Sequence, residues 1–313
     1  MEVSERDRPE FQASGSVRVR VPAKVNLHLG VGPRRPDDYH ELTTVYHAIS
    51  LYDELTASRS DELELSLRGE GERELPVDAD NLVVRAVRAL AERVGRPAHV
   101  RLALHKNIPV AGGLAGGSAD AAAALVACDA LWGAGLSRDE LAEIAASLGS
   151  DVPFLVLGGT ALGTGRGEVV NPVLAVGVWH WVVAVAPTGL STPEVYAELA
   201  RLRLAGRGGT PAGGPDRLLA ALRQHDPQVL ASALANDMQP AAISLRPALR
   251  RTLRAGEEEG ALACVVSGSG PSCVFLAADA DHATALAARL ASHGVSRAIR
   301  TAHGPVPGAR VVG

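Results

Sequence analysis

Between Pro109 and Asp120 the chain reads Pro-Val-Ala-Gly-Gly-Leu-Ala-Gly-Gly-Ser-Ala-Asp. Gly112, Gly113, Gly116 and Gly117 fall within six residues. Ahead of them, Val100-Arg-Leu-Ala-Leu104 alternates as a strand does, and a run of helix formers opens at Ala121. The order strand, glycine turn, helix calls for a sheet with a helix laid on it. Glycines let backbone N–H groups approach a ligand closely. The helix start behind them carries about half a positive charge and several unpaired donors. Together these make a phosphate site. A flexible loop capped by Ser118 is the other reading, and the stretch alone leaves both open.

At 313 residues the chain is long enough for two domains, and 47% hydrophobic residues can supply a sizeable core. Acids and bases are interspersed, and the net charge of −4 argues against broad nucleic-acid binding. Cys128, Cys264 and Cys273 show no metal or CxxC spacing, so they read as buried thiols in a reducing cytoplasm. Residues 1–15 are polar and are expected to form a disordered tail without a secretory signal. No apolar run is long enough to cross a membrane.

From Ser16, Val17, Val19 and Val21 alternate with Arg18 and Arg20, and Lys24-Val-Asn-Leu resumes the pattern after Pro22. A long bent strand, or two in succession, is predicted. The stretch Gly32 to Glu41 carries prolines, mixed charge, Tyr39 and His40 without periodicity, which marks a functional loop. Asp80 is expected to cap a helix over 81–94, and Ser137-Arg-Asp-Glu140 is a capping box. Glycines and prolines over 206–215 suggest a mobile linker. Ala263–Val266 and Cys273–Ala277 read as paired strands around a second glycine turn, Ser267-Gly-Ser-Gly-Pro-Ser272. The second half reads β, helices, β, β, α, β, which is α+β and not a parallel Rossmann sheet. The expected units are 16–170 and 171–313.

A kinase needs a triphosphate cradle, a base for the attacking hydroxyl, and cations. Asp151, in Gly-Ser-Asp-Val-Pro, is the candidate base, although an Asp at a helix start is also a common cap. Lys24 is the candidate cation, although a lysine in a strand can also guard an edge. Asn26 lies two residues on and shares its face. Gly163-x-Gly165-x-Gly167 lacks the setting of a dinucleotide fingerprint, which excludes NAD. The glycine loop lacks Gly-Lys-Ser/Thr, so it is not a Walker loop. Asp37-Asp38 lacks calcium-loop spacing, and no zinc-type histidine pair occurs.

Three segments in order resemble the GHMP kinase superfamily: Pro22-Ala-Lys-Val-Asn-Leu27, Pro109 to Ala119, and Ser267 to Ser272. Three more resemble its branch that phosphorylates the 2-hydroxyl of a cytidine-diphosphate-linked methylerythritol, on the non-mevalonate route to isoprenoid precursors. They are Arg34-Arg-Pro-Asp-Asp-Tyr-His-Glu-Leu42, Gly116-Gly-Ser-Ala-Asp120 and Gly149-Ser-Asp-Val-Pro-Phe154. The resemblance spans Val17 to Val312. It implies a two-domain α+β fold, with an N-terminal domain like ribosomal protein S5 domain 2 and a ferredoxin-like C-terminal domain.

The resemblance also implies roles. Asp151 would take the hydroxyl proton, and Lys24 would keep Asp151 ionised. ATP would lie on Pro109, Val110, Ala111, Gly112, Gly113, Leu114, Ala115, Gly116, Gly117, Ser118 and Ala119, with Lys106 near the adenine. Tyr39 and His40 would recognise cytosine and Tyr196 would sandwich it. Asn26 and Thr192 would contact the substrate, and Gly268, Ser269 and Gly270 would close the site. Mg²⁺ would come with ATP, Ser118 offering the hydroxyl. Ala115 replaces the usual glycine and is expected to sit at negative φ. The implied partner is a small molecule carrying cytidine diphosphate, with no nucleic acid or membrane, in a cytoplasmic monomer or homodimer. Two rival readings remain at this point. One is another small-molecule kinase of the superfamily, and the other is an S5-like RNA-binding module.

Overall fold

A computed structural model describes residues 15–312, so the tail expected over 1–15 lies outside the described residues except for Gly15. The chain opens with three strands, β1 (Ser16–Arg34), β2 (His40–Ser58) and β3 (Leu63–Gly69). Next come helix α1 (Leu82–Arg93), strand β4 (Val100–Lys106), and helices α2 (Gly116–Trp132), α3 (Arg138–Leu148) and α4 (Val152–Leu157). Strands β5 (Thr160–Thr164), β6 (Val169–Pro172) and β7 (Trp179–Val185) lead to α5 (Thr192–Leu204), α6 (Asp216–Leu222) and α7 (Pro227–Ala231). The rest is β8 (Ala235–Asn236), α8 (Gln239–Leu245), α9 (Ala248–Glu258), β9 (Ala263–Val266), β10 (Cys273–Ala277), α10 (Ala280–Ser292), β11 (Ala298–Gly304) and β12 (Arg310–Val311).

These strands form two sheets. The eight-stranded sheet runs β12-β1-β2-β4-β3, with β5 on β2, β6 on β5 and β8 on β1. The four-stranded sheet runs β11-β7-β10-β9 and is antiparallel throughout. This is the mixed α+β architecture expected from the sequence. Two short strands from the second half of the chain, β8 and β12, join the first sheet. One apolar core also runs from Val19 and Leu102 through to Trp181 and Leu276.

The bent strand expected at the start is continuous. Pro22 cannot donate to a ladder, and β1 slips register on β2 between Pro22 and Ala23. From Val21 to Leu29 every residue of β1 is buried, including Lys24, Asn26 and His28. The helix over 81–94 forms, but Asn81, not Asp80, is its cap: the Asn81 side chain accepts from the backbone N–H of Val83. The box at Ser137 and Glu140 is present.

After its first turn, helix α2 is buried without interruption from Ala119 to Cys128. Ala119 and Ala121 through Leu125 are all fully buried. Only alanine is small enough to let β1, β2, α1 and α4 all pack closely on one helix. That packing aims the start of α2 at the glycine loop before it. Ala123→Leu should therefore lower unfolding free energy by about 1–3 kcal/mol through overpacking, read as a lower midpoint in urea. A pH effect is expected at His47, which is fully buried with Nδ1 2.8 Å from Thr160 Oγ1. Burial pushes its pKa from 6.5 down to about 3. Between these values the unfolded chain binds a proton that the folded chain refuses, so stability falls as pH drops through this window, by on the order of 1 kcal/mol per pH unit. His47→Gln should flatten that slope in denaturation curves taken across the window.

Candidate functional site

Lys24 faces inward from the middle of β1 and is only 4% exposed. Burying an ammonium is costly unless it is paired and hydrogen-bonded. Its Nζ donates to Asn26 Oδ1 at 2.6 Å and lies 3.7 Å from Asp151 Oδ2. It also stands 5.9 Å from the centre of the Tyr46 ring. Asn26 Nδ2 donates in turn to Thr44 Oγ1 at 2.8 Å, which fixes the amide. So Lys24 is not an edge gatekeeper.

Asp151 stands just before α4, with Pro153 in the first turn, yet its side chain makes no capping bond. Its carboxylate is free to face Lys24. The Tyr46 hydroxyl lies beside it. Burial, then the charge of Asp151, holds the Tyr46 phenol well above its ordinary pKa, so Tyr46 stays a donor. Tyr196 is likewise pushed up to about 12, by burial first and Asp151 second.

The glycine loop crosses above this pair. Lys24 N–H donates to Leu114 O at 3.2 Å. From the far side, Ser267 Oγ donates to Gly113 O at 3.0 Å and Ser272 N–H to Gly112 O at 3.1 Å. A Cβ on Gly113 would sit 2.1 Å from Ser267 O, so only glycine fits there. Ala111 and Ala115 adopt φ of 51° and 59°. The expectation of negative φ at Ala115 is therefore wrong: helix α2 starts from a left-handed residue with no side-chain cap. That leaves the first N–H groups of α2 without intrahelical partners. Ser118 is part of this first turn and is no cap.

Two cavities flank the loop. One, of about 670 Å³, is lined by Lys24, Asn26, Asp151, Ser118, Tyr39, His40, Thr192, Tyr196, Gly268 and Ser269. Residues from six distant segments of the chain thus meet. Gly268 covers the floor: a Cβ there would lie 3.2 Å from Lys24 Nζ. Thr192 Oγ1 is 2.8 Å from Ser269 Oγ. The other cavity, of about 760 Å³, is lined by Val110, Ala111, Gly112, Asn107 and Arg297 among others. Gly270 faces neither cavity and instead turns the backbone into Pro271 at φ 81°.

Three placements go beyond what the motifs show. Lys106 lines the larger cavity, but its ammonium points into the core, 2.7 Å from Asp53 and 2.5 Å from Asp120. The His40 ring lies flat on Tyr196 with centroids 4.7 Å apart, while Arg166 covers Tyr39 at 4.9 Å. The 206–215 stretch is tied down: Ala212 N–H donates to Asp237 Oδ1 at 2.7 Å, and Asp237 pairs with Arg203 at 2.9 Å.

Comparison with known proteins agrees with this geometry. Residues 81–159 match the GHMP kinases N terminal domain, and residues 218–296 match the GHMP kinases C terminal domain. The 4-diphosphocytidyl-2-C-methyl-D-erythritol kinase of Salinispora tropica is 70% identical over 96% of this chain and 95% of its own. That of Nocardia farcinica is 59% identical, over 95% of this chain and 96% of its own. The chain belongs to this family of GHMP kinases. A crystal structure of a 4-(cytidine 5'-diphospho)-2C-methyl-D-erythritol kinase, 34% identical, superposes with a TM-score of 0.73 over 91% of this chain and 98% of that one. A homoserine kinase from Cytophaga hutchinsonii, 20% identical, shares the fold with a TM-score of 0.75, over 97% of this chain and 100% of its own. As a GHMP kinase the chain is a small-molecule kinase that uses ATP.

Sequence reasoning missed Tyr46, Arg166 and Asn236. Asn236 donates to Val266 O at 2.7 Å and Gly268 O at 2.8 Å, fixing the late turn. Tyr46 and Asn236 sit in no motif, Arg166 lies within the Gly163–Gly167 run whose dinucleotide reading fails, and the pairing of β2 with β5 and of β8 with β1 brings them in. The strain at Ala115 is directly measurable. Ala115→Gly should stabilise the fold by up to about 1 kcal/mol and Ala115→Val should destabilise it by more than about 1 kcal/mol, seen as opposite shifts in melting temperature.

Proposed function

We propose that the chain transfers the γ-phosphoryl group of ATP to the 2-hydroxyl of 4-diphosphocytidyl-2-C-methyl-D-erythritol. The observation that carries this reading is the Lys24–Asp151 pair at 3.7 Å, open to the cavity that also holds Tyr39, His40 and Tyr196. A glycine loop with free N–H groups forms the boundary between this cavity and the larger one.

In this reading the acceptor hydroxyl binds beside Asp151, with Asn26 and Thr192 in contact with the substrate. An Asp151 oxygen takes the hydroxyl proton as the hydroxyl oxygen bonds the γ-phosphorus. The bond from the γ-phosphorus to the β–γ bridging oxygen breaks, and ADP leaves. The ammonium of Lys24, 3.7 Å from the Asp151 carboxylate, orients the hydroxyl. The loop from Pro109 to Ala119 donates backbone N–H groups to the triphosphate as charge shifts toward ADP. Gly268 and Ser269 close the site from the second half, with Gly270 turning the backbone behind them; we read that half as 171–313 against a catalytic half of 16–170.

Cytosine would be read by His40 and nearby backbone, with Tyr39 and Tyr196 supplying aromatic faces. Burial first, then Arg34 and Arg203, lower the His40 pKa below 6.5, so the imidazole meets the base neutral. Mg²⁺ would arrive with ATP. Ser118 and Asp151 line the same cavity and offer the oxygen donors that a hard cation takes. Bound there, the ion supplies charge neutralisation at the phosphates. We read the enzyme as cytoplasmic, a monomer or homodimer with no nucleic-acid partner.

A coupled assay with MgATP tests the reading across the cytidyl-linked methylerythritol, mevalonate and homoserine. Only the first should turn over efficiently; equal use of an acceptor without the cytidyl group would overturn the assignment. Asp151→Asn should lower kcat by about 10²–10⁴ with little change in the ATP KM. Tyr196→Ala should raise the acceptor KM about tenfold or more, the loss expected for one base stack.

A further inference from the structure

Lys106 is 2% exposed, and its ammonium takes no part in the chemistry above. It nonetheless sits at a mechanical centre. Nζ lies 2.7 Å from Asp53 Oδ2 on β2 and 2.5 Å from Asp120 Oδ2 on α2. The other oxygen of Asp53 accepts the backbone N–H groups of Asn107 at 2.5 Å and Ile108 at 2.8 Å. A Cβ on Gly116 would lie 3.5 Å from the same Nζ, so the ammonium lies under the first residue of α2. The residues that enter the glycine loop and the helix that leaves it are thus tied to one buried point.

One ammonium stands between two buried carboxyl groups there. Burial works against the Lys106 ammonium, but Asp120 and Asp53 outweigh it and raise its pKa. Burial first, with Asp53 adding to it against the pull of Lys106, puts Asp120 well above the usual carboxylate range. Such a cluster can stand in the core while every member is paired, whereas any member left unpaired is severely destabilising.

The loop needs such a hold. Ala111 and Ala115 both sit in the left-handed region, where a Cβ crowds the following carbonyl oxygen. Strain of this kind persists only where the surroundings over-determine it. We propose that Lys106 is a positioning residue for ATP. With Asp53 and Asp120 its ammonium holds the glycine loop in the shape that presents its N–H groups to the triphosphate. The proposal rests on the reading of residues 109–119 as the ATP phosphate loop.

Steady-state kinetics of the full chain separate the two. Lys106→Met should raise the ATP KM about tenfold or more, while the acceptor KM stays within about twofold. Asp120→Asn, which keeps a side-chain oxygen for Lys106 Nζ to donate to, should keep the ATP KM within about threefold of the unmodified chain. A folded Lys106→Met with an unchanged ATP KM, or with both KM values raised alike, overturns the proposal. If circular dichroism shows Lys106→Met unfolded, Asp120→Leu takes its place under the same criteria. Ala111→Asp puts a negative charge on the exposed part of the loop and should raise the ATP KM whatever Lys106 does. An unchanged ATP KM in Ala111→Asp overturns the phosphate-loop reading, and this proposal with it.

Discussion

The site is built around a cation held out of water. Lys24 is buried in a strand covered on both faces, so its charge must be met by neighbours. Asn26 meets it from the same face of β1 and Asp151 from the start of α4. Each partner then needs support of its own. Thr44 on β2 orients Asn26, and the Tyr46 phenol stands beside Asp151. The backbone of Lys24 itself carries the glycine loop through Leu114 O. One buried charge therefore fixes the spacing of the sheet, the loop and α4.

The loop is the second dependent part. It is caught between β1 below and the late turn at 267–272 above, so close that Gly113 admits no side chain. Its stems are anchored separately, through the Lys106 cluster. A loop held at four places can keep alanines at positive φ that would relax in a free chain. Pre-organised donors are worth more than donors that must be ordered during reaction. The placement of one cavity on each side of the loop suits transfer between two bound molecules.

The second half of the chain contributes closure more than chemistry. Asn236 on the short β8 pins Gly268 over Lys24, and Thr192 and Ser269 meet across the cavity mouth. Asp237 ties Arg203, Ala212 and Val31 into one knot beside the Tyr39–His40 loop. A stretch that reads as a linker from composition is thereby hydrogen-bonded to the Asp237 knot. Its glycines reflect turns, with Gly206, Gly209 and Gly213 all at positive φ.

What the sequence determined by itself is what depends on neighbours along the chain. The strand before the glycine loop, the helix after it, the capping box at Ser137 and the paired strands around the late turn are all local patterns, and all form. Lys24, Asp151 and the loop are each ambiguous alone, and they are legible as site candidates because their short motifs occur in an order that resembles the GHMP kinases. Tertiary structure decided the rest. Whether Asp151 caps a helix or faces a lysine depends on what lies across from it, 127 residues away in sequence on β1 (151 − 24). Lys106 is an ordinary lysine at a strand end until Asp53 and Asp120 close on it. Ala115 carries no mark of positive φ, because the force that holds it there comes from β1, β2 and the late turn. Burial and long-range pairing set those energies, and neither is written in the order of adjacent residues.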